Sequence, residues 1–220
     1  MSESAVLFLD ANTLASPVTR TLVIAGARVD ELRAVWSPHV EAEADRHTRG
    51  TSTRVSTLRT DILAMELSPS AKSTKGLVTT SVEDRQVAAD AIRAGARYLI
   101  TTDVDDFAFE DLAGHEMSAV NPDYFMAIRF SEFAYRGGVG LLADVAKNPP
   151  RTPADVHRML GRRHPHLTTR FADLYDSTPL PADSDQPAVL FRGVACVRCE
   201  SHLDDEDGRR LGLCTQHRGA

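Results

Sequence analysis

The sequence predicts an α/β fold, a three-layer α/β/α domain around a central parallel sheet. Three observations carry that expectation. Val6-Leu7-Phe8-Leu9 is an unbroken apolar run that ends in Asp10. Tyr98-Leu99-Ile100 is a second such run, ending after two threonines in Asp103. Runs without polar alternation suit strands covered on both faces. The third observation is the helical stripe Val87, Ala88, Ala91 and Ile92, closed by Gly95 just before the second run. Helix, tight turn and strand in that order make half of a βαβ unit. Functional groups in open α/β sheets lie beyond the carboxyl ends of the strands. Asp10 and Asp103 are therefore expected at one edge of the sheet.

The elements follow in order. Ser16-Pro17 opens a helix from Val18 to Ala27, since proline suits the first helical turn. Leu32 to Trp36 reads as a short second strand. Ser37-Pro38 supplies a cap and a first-turn proline for a helix through His39 to Arg46. Ser52 to Leu67 reads as a further helix, and Ser68 to Lys75 as a loop. Gly76 to Thr80 reads as a short strand or as the lead into the next helix, which Val82-Glu83-Asp84 opens. Met117 to Val120 is a last strand, and Asn121-Pro122-Asp123 caps a helix through Ile128. Gly137-Gly138 is expected to break the pattern, with a short helix from Val139 to Val145 beyond it. Pro153 begins another helix, and Pro165 to Tyr175 a last short one. Both are too small to make a core and are expected to dock on the main domain. Ser177 to Pro187, rich in Pro, Asp and Ser, reads as a linker.

A chain of 220 residues has room for one full domain and a smaller appendage. The division expected is a main domain over residues 1–135, a helical extension over 136–176, a linker over 177–189 and a small module over 190–220. No apolar run approaches the ~20 residues of a membrane helix, and Met1-Ser2-Glu3-Ser4 lacks the basic start of a secretory signal. A cytoplasmic protein is expected. The net charge of −6 excludes a bulk electrostatic hold on nucleic acid. It leaves room for a local basic surface and is compatible with an acidic metal site.

The three cysteines all lie in the last module. Cys196-x-x-Cys199 is followed, after fourteen residues, by Cys214-x-x-His217. Each pair can bite one metal ion, and the two together make a tetrahedral Cys3His site of the kind found in a small zinc ribbon. A structural disulfide does not suit a cytoplasmic chain. A redox Cys-x-x-Cys would leave Cys214 and His217 unexplained. Zn²⁺ as a structural ion is the expectation, with His202 as an alternative ligand that lacks the spacing.

Four acids stand at the ends or flanks of elements that face the same edge: Asp10, Glu43, Asp84 and Asp103. Carboxylates held close raise one another's pKa. Mg²⁺ or Mn²⁺, hard ions that take oxygen ligands, removes that penalty. Such an ion can lower the pKa of a bound water and neutralise charge on a phosphate.

Several stretches together resemble the PIN-domain nucleases. They are Phe8-Leu9-Asp10-Ala11-Asn12, Trp36-Ser37-Pro38-His39-Val40-Glu41-Ala42-Glu43, Glu83-Asp84-Arg85-Gln86-Val87-Ala88-Ala89-Asp90-Ala91 and Leu99-Ile100-Thr101-Thr102-Asp103-Val104-Asp105-Asp106-Phe107. Asn121-Pro122-Asp123-Tyr124-Phe125 is similar to the segment that follows in one bacterial subgroup. The resemblance covers about residues 5 to 130, and residues 139 to 176 are similar to the helical extension of some VapC-like toxins. It implies a PIN-like fold and a metal-dependent endoribonuclease. The catalytic, metal-binding acids fall on Asp10, Glu43, Asp84 and Asp103, with Glu41 competing for Glu43. Asn12 and Thr101 fall on supporting polar positions, and Asp105 and Asp106 at the rim. The resemblance also implies RNA as substrate, a toxin–antitoxin system, a partner antitoxin and a homodimer. It assigns nothing to the Cys3His tail.

Two other readings start from the same residues. Asp10-Ala11-Asn12-Thr13 is close to the opening motif of haloacid-dehalogenase phosphatases, in which Asp10 would be the nucleophile. The usual second acid would fall at position 12, which is Asn, and no downstream lysine motif follows. A non-catalytic module, binding nucleic acid or protein through the tail, is the other. Asp204-Asp205-Glu206-Asp207 among the tail's few arginines disfavours simple phosphate binding.

Overall fold

The computed structural model describes residues 4–218. The strands are β1 (Val6–Leu9), β2 (Arg33–Val35), β3 (Tyr98–Ile100), β4 (Ser118–Val120) and β5 (Phe191–Gly193). They form one sheet in the order β2-β1-β3-β4-β5. The first four are parallel, and β5 returns antiparallel along β4. One row of the register runs Val35, Phe8, Leu99, Ala119, Arg192 across all five strands. The apolar runs of β1 and β3 are buried throughout, as central strands require.

The local start signals act as the sequence indicates. α1 (Ala11–Ala15) is capped by the Asp10 carboxylate, and α2 (Pro17–Val29) begins on its proline. Ser37 accepts the Val40 N–H and Pro38 opens α3 (Pro38–His47). The helix expected from Ser52 to Leu67 is shorter. α4 (Val55–Thr57) passes into a wide turn at Leu58–Leu63, and Ala64 in a left-handed conformation stops it. Gly76 to Thr80 is neither strand nor helix. Its N–H groups at Val78, Thr79 and Thr80 all donate to Asp111. α5 (Arg85–Arg93) ends before Gly95, whose φ of +67 reverses the chain into β3.

The predicted break at Gly137-Gly138 does not occur. α6 (Phe109–Ala113) and α7 (Pro122–Arg129) are followed by α8 (Glu132–Val145), which runs straight through both glycines. Gly138 packs on Leu22 of α2: a Cβ there would lie 3.0 Å from Leu22 Cδ2. Packing against α2 offsets the poor helix propensity of glycine.

α9 (Pro153–Leu160) opens with a capping box made by Thr152 and Asp155. α10 (Pro165–Arg170) is a short helix followed by a single turn at Ala172–Leu174. This extension is tied to the rest of the chain. Asp123 accepts the N–H groups of His166 and Leu167, and Tyr135 stacks on Phe171 at 4.5 Å while its hydroxyl meets His157 Nδ1 at 2.6 Å. α11 (Glu206–Leu211) lies between the two Cys/His pairs. One hydrophobic cluster joins the sheet to the tail through Ala195, Cys196, Val197 and Leu203. Among the described residues no helix is long and apolar enough to cross a membrane.

Candidate functional site

Leu9 of β1 stands beside Ile100 of β3, so the next residues, Asp10 and Thr101, emerge side by side. Asp10 is buried, with the Ala11 N–H on Oδ1 at 2.6 Å and the Thr101 hydroxyl on Oδ2 at 2.8 Å. Thr101 Oγ1 in turn accepts from Asn12 Nδ2 at 3.0 Å and from the Asp103 N–H at 3.1 Å. Asn12 Nδ2 also donates to Asp103 Oδ2 at 2.9 Å, and its Oδ1 accepts the Thr102 N–H. Asp10, Asn12, Thr101 and Asp103 thus form one hydrogen-bonded network at the carboxyl ends of two parallel strands.

Asp84 is the residue before α5, where its side chain accepts the Ser81 hydroxyl and makes no capping hydrogen bond to the helix. On α3, two residues of separation put Glu41 and Glu43 on different sides. Glu41 turns inward, accepting from Trp36 Nε1 at 3.1 Å and pairing with Arg59 at 2.6 Å. Glu43 stays more open, with the imidazole of His39 at 4.0 Å.

The electrostatics link these groups. Burial pushes Asp10 up to about 6. The Thr101 and Ala11 hydrogen bonds oppose that rise, and the charges of Glu43 and Asp84 add to it. Asp106 is also raised, first by burial and then by Asp84, Asp103 and Asp105, with Arg192 opposing. Asp84 therefore bears on both groups of acids. Among the described residues no Lys or Arg pairs with Asp10, Asp84 or Asp103. The acids do not close into a set of three with ligand atoms mutually within 4.8 Å. A cleft of about 390 Å³ opens beside Asn12 and Asp103, with Arg163, His164, Asp183 and Gln186 on its other walls.

Cys196, Cys199, Cys214 and His217 do form such a set, each offering one ligand atom within 4.8 Å of the others. Cys199 Sγ and Cys214 Sγ are 3.7 Å apart, far beyond the ~2.0 Å of a disulfide. His217 Nδ1 is 3.7 Å from Cys196 Sγ and 3.2 Å from Cys214 Sγ. A tetrahedral Zn²⁺ with ordinary bond lengths needs S···S edges of about 3.8 Å and S···N edges of about 3.5 Å. The donor set fits that ion. His202 lies outside it, in an isolated bridge with Ala195.

Two residues that matter to the acidic edge are not legible in the sequence. Asp111 is buried and gathers the loop that leads to Asp84; its N–H donors hold it below the usual carboxylate range against the effect of burial. Arg192 donates from one terminal nitrogen to the carbonyls of Asp105 and Phe107, each at 3.1 Å. No motif marks either residue, because each depends on partners distant in sequence.

No protein-family model matches the chain, and no solved structure matches it. Among proteins with a curated description, the chain is 28% identical over 97 residues to "Putative ribonuclease VapC50" of Mycobacterium tuberculosis (strain ATCC 25618 / H37Rv). The match covers 43% of this chain, and the chain spans 57% of that protein's length. The chain is therefore an α/β protein with a Cys3His cluster and a partial similarity to a protein named as a VapC ribonuclease.

Proposed function

We propose that this protein is a metal-dependent endoribonuclease of the PIN type, the toxin of a toxin–antitoxin pair. One observation carries the reading. The network of Asp10, Asn12, Thr101 and Asp103 sits at the ends of β1 and β3, under the negative charges of Glu43 and Asp84, and among the described residues no Lys or Arg pairs with it. A buried carboxylate facing like charges is costly unless a cation joins it. The donors are all oxygens, so the fitting ions are hard ones, Mg²⁺ or Mn²⁺.

Asp10, Asp84 and Asp103 would hold the ion, with Glu43 completing its shell or orienting the water. Asn12 and Thr101 hold the two strand-end acids in place, and Asp105 and Asp106 flank the rim. The ion would supply an activated water and charge neutralisation at the scissile phosphate. Such chemistry needs no 2′-hydroxyl nucleophile. RNA as the substrate follows from the resemblance and from the name of the mycobacterial relative. An antitoxin that offers a basic side chain or helix to the acidic edge suits the net charge of −6. A homodimer rests on the resemblance alone. The tail takes Zn²⁺ as a structural ion.

The test is cleavage of labelled RNA by the purified protein with Mn²⁺ or Mg²⁺, beside EDTA and Asp10→Asn. Cleavage that requires both the metal and Asp10 is expected. A folded, metal-loaded protein free of antitoxin that leaves a broad RNA pool intact overturns the reading. A phosphoaspartate on Asp10 would point instead to the phosphatase.

A further inference from the structure

We infer that the Cys3His site works as a clasp on the acidic edge: by closing the tail it fixes β5, and Arg192 on β5 holds the loop that follows Asp103. What that loop does in catalysis rests on the nuclease reading; the mechanical link does not.

The link can be followed residue by residue. The two Cys/His pairs bracket α11 and the turn at Gly212, whose φ is +64. The Gly212 carbonyl accepts the Val197 N–H at 2.8 Å, and a Cβ on Gly212 would lie 2.6 Å from the Phe191 ring. Joining the pairs therefore seats Gly212 on the first residue of β5. The other end of β5 is held as closely. Ser118 Oγ accepts the N–H groups of Val194 and Ala195, and the Tyr98 hydroxyl donates to the Cys196 carbonyl at 2.5 Å. Between these anchors Arg192 faces the segment from 105 to 107. One terminal nitrogen of its guanidinium bridges the carbonyls on either side of Asp106.

The side chains of Val104 and Phe107 anchor that segment in the core, and the backbone between them has a short set of hydrogen bonds. Val104–Asp106 is one helical turn, closed by the Asp106 N–H on Asp103 O and the Phe107 N–H on Val104 O, with the Ala108 N–H on Thr80 Oγ1. It carries Asp106 in the negative field of Asp103 and Asp105. A cation bridging two carbonyls there opposes that field and fixes the backbone at once. Without a metal, only weak sulfur hydrogen bonds join the two pairs: the Cys214 N–H on Cys196 Sγ at 3.4 Å, and the contacts of Cys196, Cys199, Cys214 and His217 with one another. The second pair is then held less firmly, and Gly212 keeps only the Val197 N–H on its carbonyl, the Phe191 ring and the Tyr124 hydroxyl on the neighbouring Leu211 carbonyl. Arg192 is thus a positioning residue, set by a metal outside the acidic edge.

The experiment uses the full chain without Mg²⁺ or Mn²⁺. Zinc content is measured by mass spectrometry, and amide exchange is followed at Asp103, Asp106, Phe107 and Ala108. The wild type should hold about one zinc per chain. Chelating it, or introducing Cys214→Ser, should speed exchange at those amides about tenfold or more while β1 keeps its protection. Arg192→Gln should keep the zinc and show the same local acceleration. Arg192→Lys, which keeps the positive charge and N–H donors, should restore part of the protection. A wild type without stoichiometric zinc overturns the inference. So does zinc loss, or Arg192→Gln, with exchange in the loop unchanged. If Cys214→Ser fails to fold, Arg192→Gln and the chelated wild type decide. Mn²⁺ affinity of the acidic edge should fall severalfold in Arg192→Gln. A wild type that binds no Mn²⁺ sinks the nuclease reading and leaves the exchange result standing.

Discussion

Thr101 donates its hydroxyl to Asp10 Oδ2 across 2.8 Å, and Thr101 Oγ1 itself accepts from Asn12 Nδ2 and from the Asp103 N–H. One buried threonine therefore orients both strand-end acids. Thr101→Val keeps the shape and removes the donor. The loss should cost about 1–3 kcal/mol of stability, the usual cost of an unsatisfied buried partner. It should also weaken Mn²⁺ binding and RNA cleavage. Urea unfolding and Mn²⁺ titration of the same sample check both parts. Wild-type Mn²⁺ affinity would show that Thr101 is dispensable to the site.

Glu41 and Glu43 should separate by phenotype. Glu41 is satisfied by Trp36 and Arg59 inside the protein, so Glu41→Gln should lower the unfolding free energy by about 1–3 kcal/mol. Glu43 has no such partners, and Glu43→Gln should leave stability within about 0.5 kcal/mol while reducing RNA cleavage at least tenfold. The reverse pattern in paired denaturation and cleavage assays would move the metal ligand to Glu41.

His164 should make the protein acid-labile. Burial holds its pKa down to about 4, with Asp123 opposing and Arg163 reinforcing the shift. The unfolded chain, with an ordinary value near 6.5, takes up the proton first as the pH falls. Its contribution is therefore complete above about pH 6.5 and is lost progressively toward pH 4, by up to about 3 kcal/mol. His166 has the opposite sign: the Asp123 hydrogen bond raises it, so its contribution is present below pH 6.5 and fades as the pH climbs through the raised value. His164→Gln should flatten the fall in urea midpoint between pH 7 and pH 4.5. An unchanged slope would place the acid sensitivity elsewhere.

Two glycines in the packed helices should respond in opposite ways to alanine. A Cβ on Gly26 would stand 2.1 Å from the Phe130 ring, so overpacking by about 1–3 kcal/mol should outweigh the gain in helix propensity. Gly137 has nothing within 4 Å, and Gly137→Ala should stabilise the protein by up to about 1 kcal/mol. Thermal unfolding of the two variants distinguishes them. Equal shifts would mean that the Phe130 ring does not sit as close to α2 as Gly26 requires.

What was legible in the sequence was what local chemistry decides. Val6–Leu9 and Tyr98–Ile100 announce themselves as buried strands, and Ser37-Pro38 as a helix start, because each signal lies within a few residues. The Cys/His pairs are legible for the same reason. Gly137-Gly138 misleads because a glycine pair inside a helix is explained only by its neighbour, here Leu22 of α2 beside Gly138. Gly76 to Thr80 was ambiguous because its N–H groups are satisfied by Asp111, more than thirty residues ahead. That residues 191–193 complete the sheet, and that Arg192 meets the loop at 105 and 107, depends on a chain return with no local mark.

The outer side of β4 is covered by a strand made late. During synthesis Ser118–Val120 leaves the ribosome roughly 70 residues before its antiparallel partner, a delay of several seconds at ordinary elongation rates. Through that interval the nascent chain carries an open strand edge, the kind of surface on which unfinished proteins pair with one another. Slow translation or a stall between the two strands would lengthen that exposure, so the yield of native protein should depend on how quickly the tail is made.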